Sequence, residues 1–372
     1  MGITDLLRRA RIYYLERGIL RAVGTTARYI GCKINNRFQA FADILERDRG
    51  KGYSWRLRLK AARHGFSAES YCWLGLENKN PEKYLNNSRL IGEVGRRYSG
   101  VLRNKYHFQK LSEPHFDNFP EIYVKIQGER TRNAADASRN KRRLRSILEE
   151  HKKVLVKPDS GSQGEGIKII EKVDGQYLMN RHPITATDVD DLESALTEHI
   201  VSEFIQQHEY VESIYPDATN TIRVFTLYRS RDASATVISA AHRFGSEKSA
   251  PTDNLSRGGY CAPIDIETGE LGKLIAVSGS DHRSVHEKHP ETKEQVAGVK
   301  VPNWEEVIRT ACGLTELHWP AHIIAWDIVM NEQAHPIILE GNTGGGIHLL
   351  QLEQGILENE DVRRVLSEKS PL

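Results

Sequence analysis

The sequence has few cysteines and no long hydrophobic run. Only 4 of its 372 residues are cysteine, and they form no Cys-x-x-Cys pair, which argues against a disulfide framework and a zinc knuckle. No segment approaches the roughly 18 consecutive apolar residues of a membrane span, and arginines occupy the N-terminal stretch where a signal peptide is apolar. These absences and a mean hydropathy of −0.53 predict a globular chain in a reducing, cytoplasmic compartment.

Common motifs of covalent catalysis and of nucleic-acid binding are also missing. No Gly-x-Ser-x-Gly elbow or Cys/His pairing supports acyl-enzyme chemistry. His282, His286 and His289 are loosely spaced and lack a fourth ligand for zinc. Since no RRM, KH or OB signature follows the basic N-terminal part, nucleic acid is not an expected partner.

Charge is distributed unevenly along the chain. The net charge is +2, yet residues 1–150 hold 31 Lys and Arg against 16 Asp and Glu, while the rest holds 21 against 34. In residues 1–65, 15 basic and 5 acidic side chains are interspersed with apolar residues at helical spacing. Two interpretations stay open: a solvated helical face, or a surface for anionic lipid or a polyanionic substrate.

The order of elements indicates an α+β protein. From about residue 106, the strand-like segments EIYVKI, VLVKP and IKIIEKV alternate with helical ones. After His199, successive strands of a largely antiparallel sheet follow, then a helix, a strand pair and a C-terminal helix. We predict three parts: a basic helical region (1–100), a subdomain with a glycine-rich loop (101–204) and a catalytic subdomain (205–372).

The most informative segment is VLVKPDSGSQGEGIKII at 154–170. A dinucleotide fingerprint would open a helix, whereas a strand follows here, and no Gly-Lys-Ser/Thr ends the loop, so a Walker A is excluded. What remains is a glycine loop between two strands, with Lys157 ending the first. Backbone N–H groups of such a loop can cover a triphosphate while Lys157 neutralises it. A purely structural turn is the alternative.

Six motifs in order give the sequence a specific resemblance. They are RNKYHF (103–108), VLVKPDSGSQGEGI (154–167), VSEFIQQH (201–208), NTIRVFTL (220–227), PTDNLSRGGYCAPIDIETGEL (251–271) and AWDIVMNEQAHPIILEGN (325–342). With these the chain resembles the ATP-grasp superfamily, and in detail the sugar-transfer associated ATP-grasp family found with polysaccharide biosynthesis. The resemblance covers about residues 65–355 and implies two α+β subdomains that clasp ATP.

The resemblance implies an ATP site. Lys105 and Lys157 are expected to hold phosphates, and Glu209 a ribose hydroxyl. The segment of Glu203, Phe204 and Ile205 is expected to read adenine. For Lys105 the alternative is a solvated helix charge, and for Glu203 an edge-strand carboxylate. The loop residues expected to bind nucleotide are Gly161, Ser162, Gly164 and Gly166.

A second set of residues predicts a metal site. Asp327 lies on one strand of a hairpin, and Glu340 and Asn342 share a face of the other because side chains alternate along a strand. Carboxylates among apolar strand residues are costly unless paired or metal-bound. Oxygen ligands of this kind suit Mg²⁺, as the resemblance also implies.

Polar residues near that hairpin complete the predicted site. Arg223 is either a structural ion pair or a clamp on the γ-phosphate. Asn220 and Arg243 are placed beside it as catalytic residues. A polar glycine loop suited to a substrate carboxylate contains Asn254, Arg257, Gly258 and Gly259.

The resemblance implies an ATP-dependent carboxylate–amine ligase that works through an acylphosphate. A uronic acid is the expected acceptor, and an amino acid or other amine the donor. Two alternatives use the same residues: a nucleotide-binding scaffold of a polysaccharide synthesis complex, and a sugar kinase. The basic N-terminal part adds peripheral contact with anionic membrane to the expected cytoplasmic location. This sequence departs from the usual plan because basic helices stand where an N-terminal α/β domain supplies part of the acceptor site.

Overall fold

Two antiparallel sheets, each with seven strands among the described residues, organise the computed structural model of this chain. The structure describes residues 52–85, 95, 98–127, 132–133, 144–161, 166–278, 282–343, 346 and 349–369. The predicted α+β class is confirmed. The basic N-terminal stretch before residue 52 lies outside the described residues.

The first sheet is built from one continuous part of the chain. Its strand order is β2-β1-β7-β3-β4-β5-β6. The strands are β1 (Ile122–Ile126), β2 (Arg132–Asn133), β3 (Lys153–Pro158), β4 (Lys168–Val173), β5 (Gln176–Met179), β6 (His182–Ile184) and β7 (His199–Glu203). The predicted strands on either side of the glycine loop are β3 and β4, which pair antiparallel.

Helices cover one face of the first sheet. The helices α5 (Leu144–His151) and α6 (Ala186–Ala195) contribute Ile147 and Val189 to a buried cluster with Val154 and Val156 of β3. Because side chains alternate along a strand, Leu155 and Lys157 point to the opposite face. That face is left for the cleft described below.

The second sheet has the order β12-β11-β10-β9-β8-β13-β14. Its strands are β8 (Ile222–Arg229), β9 (Ser234–Phe244), β10 (Tyr260–Pro263), β11 (Leu274–Ser278), β12 (His282–His286), β13 (Ile323–Met330) and β14 (Pro336–Asn342). The predicted hairpin is present, since β13 pairs with β14 and aligns Asp327 with Glu340. On its other side β13 pairs with β8 and aligns Asp327 with Arg223.

Different elements cover the two faces of the second sheet. The long helix α8 (Trp304–Leu317) packs Val307 and Leu314 on one face. The other face is covered by Trp73 of α2 (Ala68–Trp73) and by Val362 of α9 (Glu360–Lys369). Arg223 and Asp327 lie on this second face, beyond its apolar part.

The remaining helices are short. They are α1 (Trp55–Arg63), α3 (Ser99–Arg103), α4 (Lys105–Ser112), α7 (Glu209–Ile214) and 3₁₀ turns at Leu76–Asn78, Pro81–Lys83, Leu255–Arg257, Trp319–Ala321, Leu349–Gln351 and Ile356–Glu358. Ser67 caps α2, because its side chain accepts a hydrogen bond from the Ser70 backbone amide. Within the part of the chain that the structure describes, no helix has the length and apolar character of a membrane span.

Candidate active site

A cleft of about 400 Å³ lies between the two sheets, a size typical of small-molecule sites. The first sheet contributes Leu155, Lys157 and Ile169 to its walls, and the second contributes Arg223 and Asp327. The predicted phosphate-binding and metal-binding residues therefore face one common space.

Two lysines meet in this cleft. Lys157, at the end of β3, is 5% exposed, and its pKa falls to about 8 because burial disfavours its charge and Lys105 repels it, against the attraction of Glu340. Lys105 begins α4, donates to the Gly161 carbonyl at 3.1 Å and lies 3.2 Å from a Glu340 oxygen. A polyanion entering here would relieve the repulsion between the two ammonium groups.

The turn after β3 carries glycines in conformations that other residues rarely adopt. Gly161 has a φ of 153° and Gly166 a φ of 75°. A Cβ on Gly166 would lie 3.0 Å from the Pro158 ring. Ser162 and Gly164 lie outside the described residues.

Buried arginines and carboxylates alternate at the end of the second sheet. Arg223 donates to both Asp327 oxygens, at 2.7 and 2.6 Å. Arg243 lies 3.2 Å from Asp327 and 3.3 Å from Asp253. Although burial opposes its ionisation, Arg223 and Arg243 hold the pKa of Asp327 far below its ordinary value. The structural ion pair considered for Arg223 is thus present, and it faces the cleft.

Glu340 and Asn342 lie beside this network on β14. The Asn342 amide donates to one Glu340 oxygen at 3.0 Å, and the other oxygen faces Lys105. With Asp327 they present two carboxylates and an amide oxygen to the cleft, a donor set that fits Mg²⁺. Among the described residues, no group of three or more His, Cys, Asp and Glu side chains is arranged to hold a metal, so the amide of Asn342 would complete the set.

The sequence model of a known family, sugar-transfer associated ATP-grasp, matches residues 86–364. The chain belongs to this family. It is therefore a member of the ATP-grasp ligase superfamily, as the six ordered motifs predict. No curated protein matches the sequence.

Three solved structures similar to this chain are those of two ligases and a synthetase. An L-amino acid ligase from Bacillus licheniformis is 13% identical, with a TM-score of 0.35 over 68% of this chain and 43% of its own. N5-carboxyaminoimidazole ribonucleotide synthetase from Thermotoga maritima is 11% identical, with a TM-score of 0.37 over 73% of this chain and 50% of its own. The ATP-grasp ligase PsnB, complexed with a minimal precursor, is 11% identical, with a TM-score of 0.40 over 74% of this chain and 64% of its own. The match thus spans about half the length of the first two.

Asn220 has a different place in this ATP-grasp chain from the one predicted. It is 1% exposed. Its side-chain Nδ2 donates to the Tyr215 and Ala218 carbonyls at 2.7 and 2.9 Å, and its Oδ1 accepts from the Gly245 backbone amide at 2.8 Å. Because these bonds use its polar groups, Asn220 shapes the turn into β8 and does not line the cleft.

The segment predicted to read adenine, residues 203–205, lies at the C-terminal end of β7. A Glu203 oxygen accepts from the Glu121 amide at 3.2 Å, and the Phe204 ring lies 4.0 Å below the Lys153 ammonium. Ile205 is half-buried, and Glu209 is exposed in the first turn of α7. The structure does not bring these four side chains into the cleft wall with Lys157, although β7 adjoins β3.

The polar glycine loop contributes one of its four predicted residues to the cleft wall. Asn254 lines the cleft, whereas Arg257 is exposed outside it. Gly258 ends a 3₁₀ turn with a φ of 101°. A Cβ on Gly259 would lie 2.6 Å from the Asp253 carbonyl oxygen. The two glycines therefore serve the tight backbone of this loop.

Sequence reasoning missed residues that hold the predicted ones in place. Asp253 accepts from the Thr221 amide and hydroxyl at 2.8 and 2.5 Å and from Arg243. A Cβ on Gly346, which has a φ of 70°, would lie 2.8 Å from Arg223 Nη1. The only sequence signals were an Asp in a polar loop and a glycine run.

A buried ion pair positions Lys105. Asp159 accepts from Lys125 at 2.8 Å and from the Asn104 amide at 3.1 Å, and its carbonyl accepts from the Lys105 amide at 2.7 Å. These bonds fix the start of α4 against the end of β3. The signal available in the sequence was Lys125 within an otherwise apolar strand.

Proposed function

We propose that this chain is an ATP-dependent carboxylate–amine ligase that forms an amide through an acylphosphate. The observation that carries the proposal is one cleft in which Lys105, Lys157, Arg223 and Arg243 face the Asp327 and Glu340 carboxylates. The cleft wall carries these four cations and four carboxylates. Lys105 lowers the pKa of the buried Lys157, and a triphosphate would relieve this repulsion where a neutral ligand would not. Membership of the ATP-grasp ligase superfamily supports ATP as that triphosphate.

The nucleotide is proposed to lie along the first sheet. Leu155, Ile167 and Ile169 give this side of the cleft an apolar wall suited to an adenine ring. Lys157 and Lys105 follow towards the second sheet and would bind phosphate oxygens. The segment from Glu203 to Ile205 remains a prediction for adenine recognition through backbone groups.

Glu340 and Asn342, with Asp327, would hold Mg²⁺. Bound by these residues, the ion would supply positive charge that stabilises the phosphoryl group during transfer. Arg223 and Arg243 keep Asp327 ionised, so that this carboxylate is available as an anion at every pH near neutrality.

In the proposed reaction an oxygen of the acceptor carboxylate forms a bond to the γ-phosphorus. The bond from that phosphorus to the β,γ-bridging oxygen breaks, which releases ADP. The amine nitrogen then attacks the acyl carbon, inorganic phosphate leaves, and the nitrogen loses a proton. Arg223 and Arg243 would stabilise charge on the phosphoryl group, and the chain supplies positioning rather than a nucleophile.

The acceptor is proposed to be a uronic acid of a polysaccharide or its precursor, and the donor an amino acid or other amine. The family's description as sugar-transfer associated supports a sugar acceptor. A sugar kinase would use the same cleft, and its product would be a phosphosugar with ADP and no free phosphate. A nucleotide-binding scaffold would release neither product. Mass spectrometry of reactions that cross uronic acids with amino acids separates the three.

Replacing Glu340 by glutamine tests the proposed metal site. We expect at least about a hundredfold loss of Mg²⁺-dependent ADP release, since an electrostatic contact with the transferring group typically contributes that much. Folding should be retained because Glu340 is partly exposed and Gln keeps its volume. ADP release and thermal unfolding are measured on the same sample.

The matched control is Glu287→Gln, which changes an exposed carboxylate paired with Lys273. It should leave turnover unchanged. Equal turnover in the Glu340→Gln variant and the parent would contradict the metal assignment.

We further propose a cytoplasmic protein that meets anionic membrane through its basic N-terminal residues. The excess of basic side chains in residues 1–65 should bind vesicles with anionic lipid at low salt and release them at high salt, because salt screens such attraction. Co-sedimentation with anionic and neutral vesicles measures this, and deletion of residues 1–28, which removes six arginines, should weaken it. Equally poor binding to both vesicle types would exclude membrane contact.

A further inference from the structure

The two ends of the cleft differ in chemistry. The end formed by the first sheet has the aliphatic wall described above. The other end carries hydroxyl, amide and carboxylate groups, from Thr219, Thr252, Asn254, Ser256 and Glu69. The hydroxyl and amide groups both donate and accept hydrogen bonds, and the carboxylate accepts them, as a ligand with several hydroxyl groups requires.

The carboxylate at this polar end comes from the N-terminal part of the described chain. Glu69 lies one helical turn before Trp73, so both side chains share a face of α2, and both line the cleft. Trp73 is 2% exposed and packs in the apolar cluster of the second sheet with Phe225. The Trp73 carbonyl accepts from Arg283 of β12 at 3.1 Å. The second sheet therefore holds α2 in place, and α2 in turn holds Glu69 at the cleft.

The opposite wall of the polar end is also fixed. Asn254 Oδ1 accepts from the Ser256 amide and hydroxyl at 3.0 and 2.9 Å. The preceding Asp253 is bound by Thr221 and Arg243. Because Arg243 contacts both Asp253 and Asp327, its guanidinium stands at the border between the polar end and the phosphate-binding residues.

We infer that α2 and the loop of residues 251–256 form the acceptor subsite, and that it takes a polyhydroxylated carboxylic acid. The acceptor carboxylate would face Arg243, next to the γ-phosphate, and its hydroxyl groups would bind Glu69, Asn254 and Ser256. This inference rests on the proposed function. It assigns part of acceptor binding to a short helix, Ala68–Trp73.

Equilibrium binding of sugar acids to the full chain with ADP and Mg²⁺ tests the subsite. The probes are D-glucuronate, D-galacturonate and D-mannuronate, compared with D-glucose and acetate, by calorimetry. At least one uronate should bind at least about tenfold more tightly than glucose, which lacks the carboxylate, or acetate, which lacks the hydroxyl groups. Glu69→Ala should weaken that uronate about tenfold and leave ADP affinity unchanged, since a hydrogen bond to a charged group is lost.

Two further variants make the result specific. Glu69→Gln, which keeps hydrogen bonds to hydroxyl groups, should recover part of the affinity, and Ser256→Ala, at an exposed position, should weaken the uronate without endangering the fold. The matched control is Glu77→Ala, an exposed glutamate of the same N-terminal part that pairs with Lys60, and it should bind like the parent.

Two outcomes would overturn the subsite. One is equal uronate affinity in the parent, Glu69→Ala and Ser256→Ala. Another is a parent that binds ADP but none of the three uronates. A parent that binds no ADP would instead overturn the proposed function, so the two failures are distinguishable.

Discussion

Lys157→Met is expected to abolish measurable ATP binding while raising the melting temperature of the free protein. The ammonium of Lys157 faces the cleft, and its lowered pKa, about 8, records the cost of holding the charge there beside Lys105. Methionine keeps most of the volume and removes that cost, on the order of 3 kcal/mol from the size of the shift. Nucleotide affinity by calorimetry and thermal unfolding of the same samples measure both effects.

The pH dependence of that stabilisation follows from the direction of the shift. The folded-state pKa lies below the value of 10.5 expected for an ordinary lysine, so the cost is fully present below about pH 8 and is relieved as the pH rises towards 10.5. The gain in melting temperature of Lys157→Met over the parent should therefore shrink between pH 8 and 10. Lys273→Ala, at an exposed lysine paired with Glu287, should change neither affinity nor this profile. Unchanged ATP affinity in Lys157→Met would indicate that the glycine loop is a structural turn and does not bind nucleotide.

Asp327→Ala should cost about 3 to 5 kcal/mol of unfolding free energy, the usual result of removing one partner from a buried ion pair. Asp327 is 3% exposed, and its loss leaves the guanidinium groups of Arg223 and Arg243 without the carboxylate between them. The free energy of unfolding in urea gives the measurement. ATP turnover should be lost as well, since the same carboxylate belongs to the proposed metal site.

The double variant Arg223→Met with Asp327→Ala serves as the control for this ion pair. It should recover part of the stability lost in Asp327→Ala, because the uncompensated charge is removed together with its partner. Turnover should stay lost. Identical stability of the single and double variants would contradict the assignment of this loss to the uncompensated charge of Arg223.

The elements of the fold were predictable where local patterns suffice. The hairpin of β13 and β14 consists of two apolar runs joined by a short polar connection, so the pairing of the strands that carry Asp327 and Glu340 could be predicted from the sequence. The ion pair between Arg223 and Asp327 could not be predicted from the sequence. It depends on β8 lying next to β13, which follows about a hundred residues later in the chain. Sheet order is set by packing of whole faces and leaves no local signal.

The site residues divide in the same way. Lys157 was identifiable from the strand and glycine loop around it, and it faces the cleft. Asn220 is polar and adjacent to a strand with Arg223, yet its amide satisfies backbone groups of its own turn, a use that side-chain chemistry alone does not reveal. That α2 lines the cleft could not be predicted, because its position depends on the packing of Trp73 against the second sheet. This packing joins parts of the chain that are far apart in sequence.

The two walls of the cleft belong to separate hydrophobic cores. All described strands of the first sheet come from residues 122–203, and among the side chains that the structure describes, the core of this sheet contains only ones from that stretch. A contiguous segment with its own core is the kind of unit that opens and closes cooperatively while the rest of the molecule stays folded. A ligand that spans the cleft and binds only when both walls are formed adds its binding free energy to each. Occupancy of the cleft would therefore be registered as slower amide hydrogen exchange in the first sheet, far from the atoms that touch the ligand.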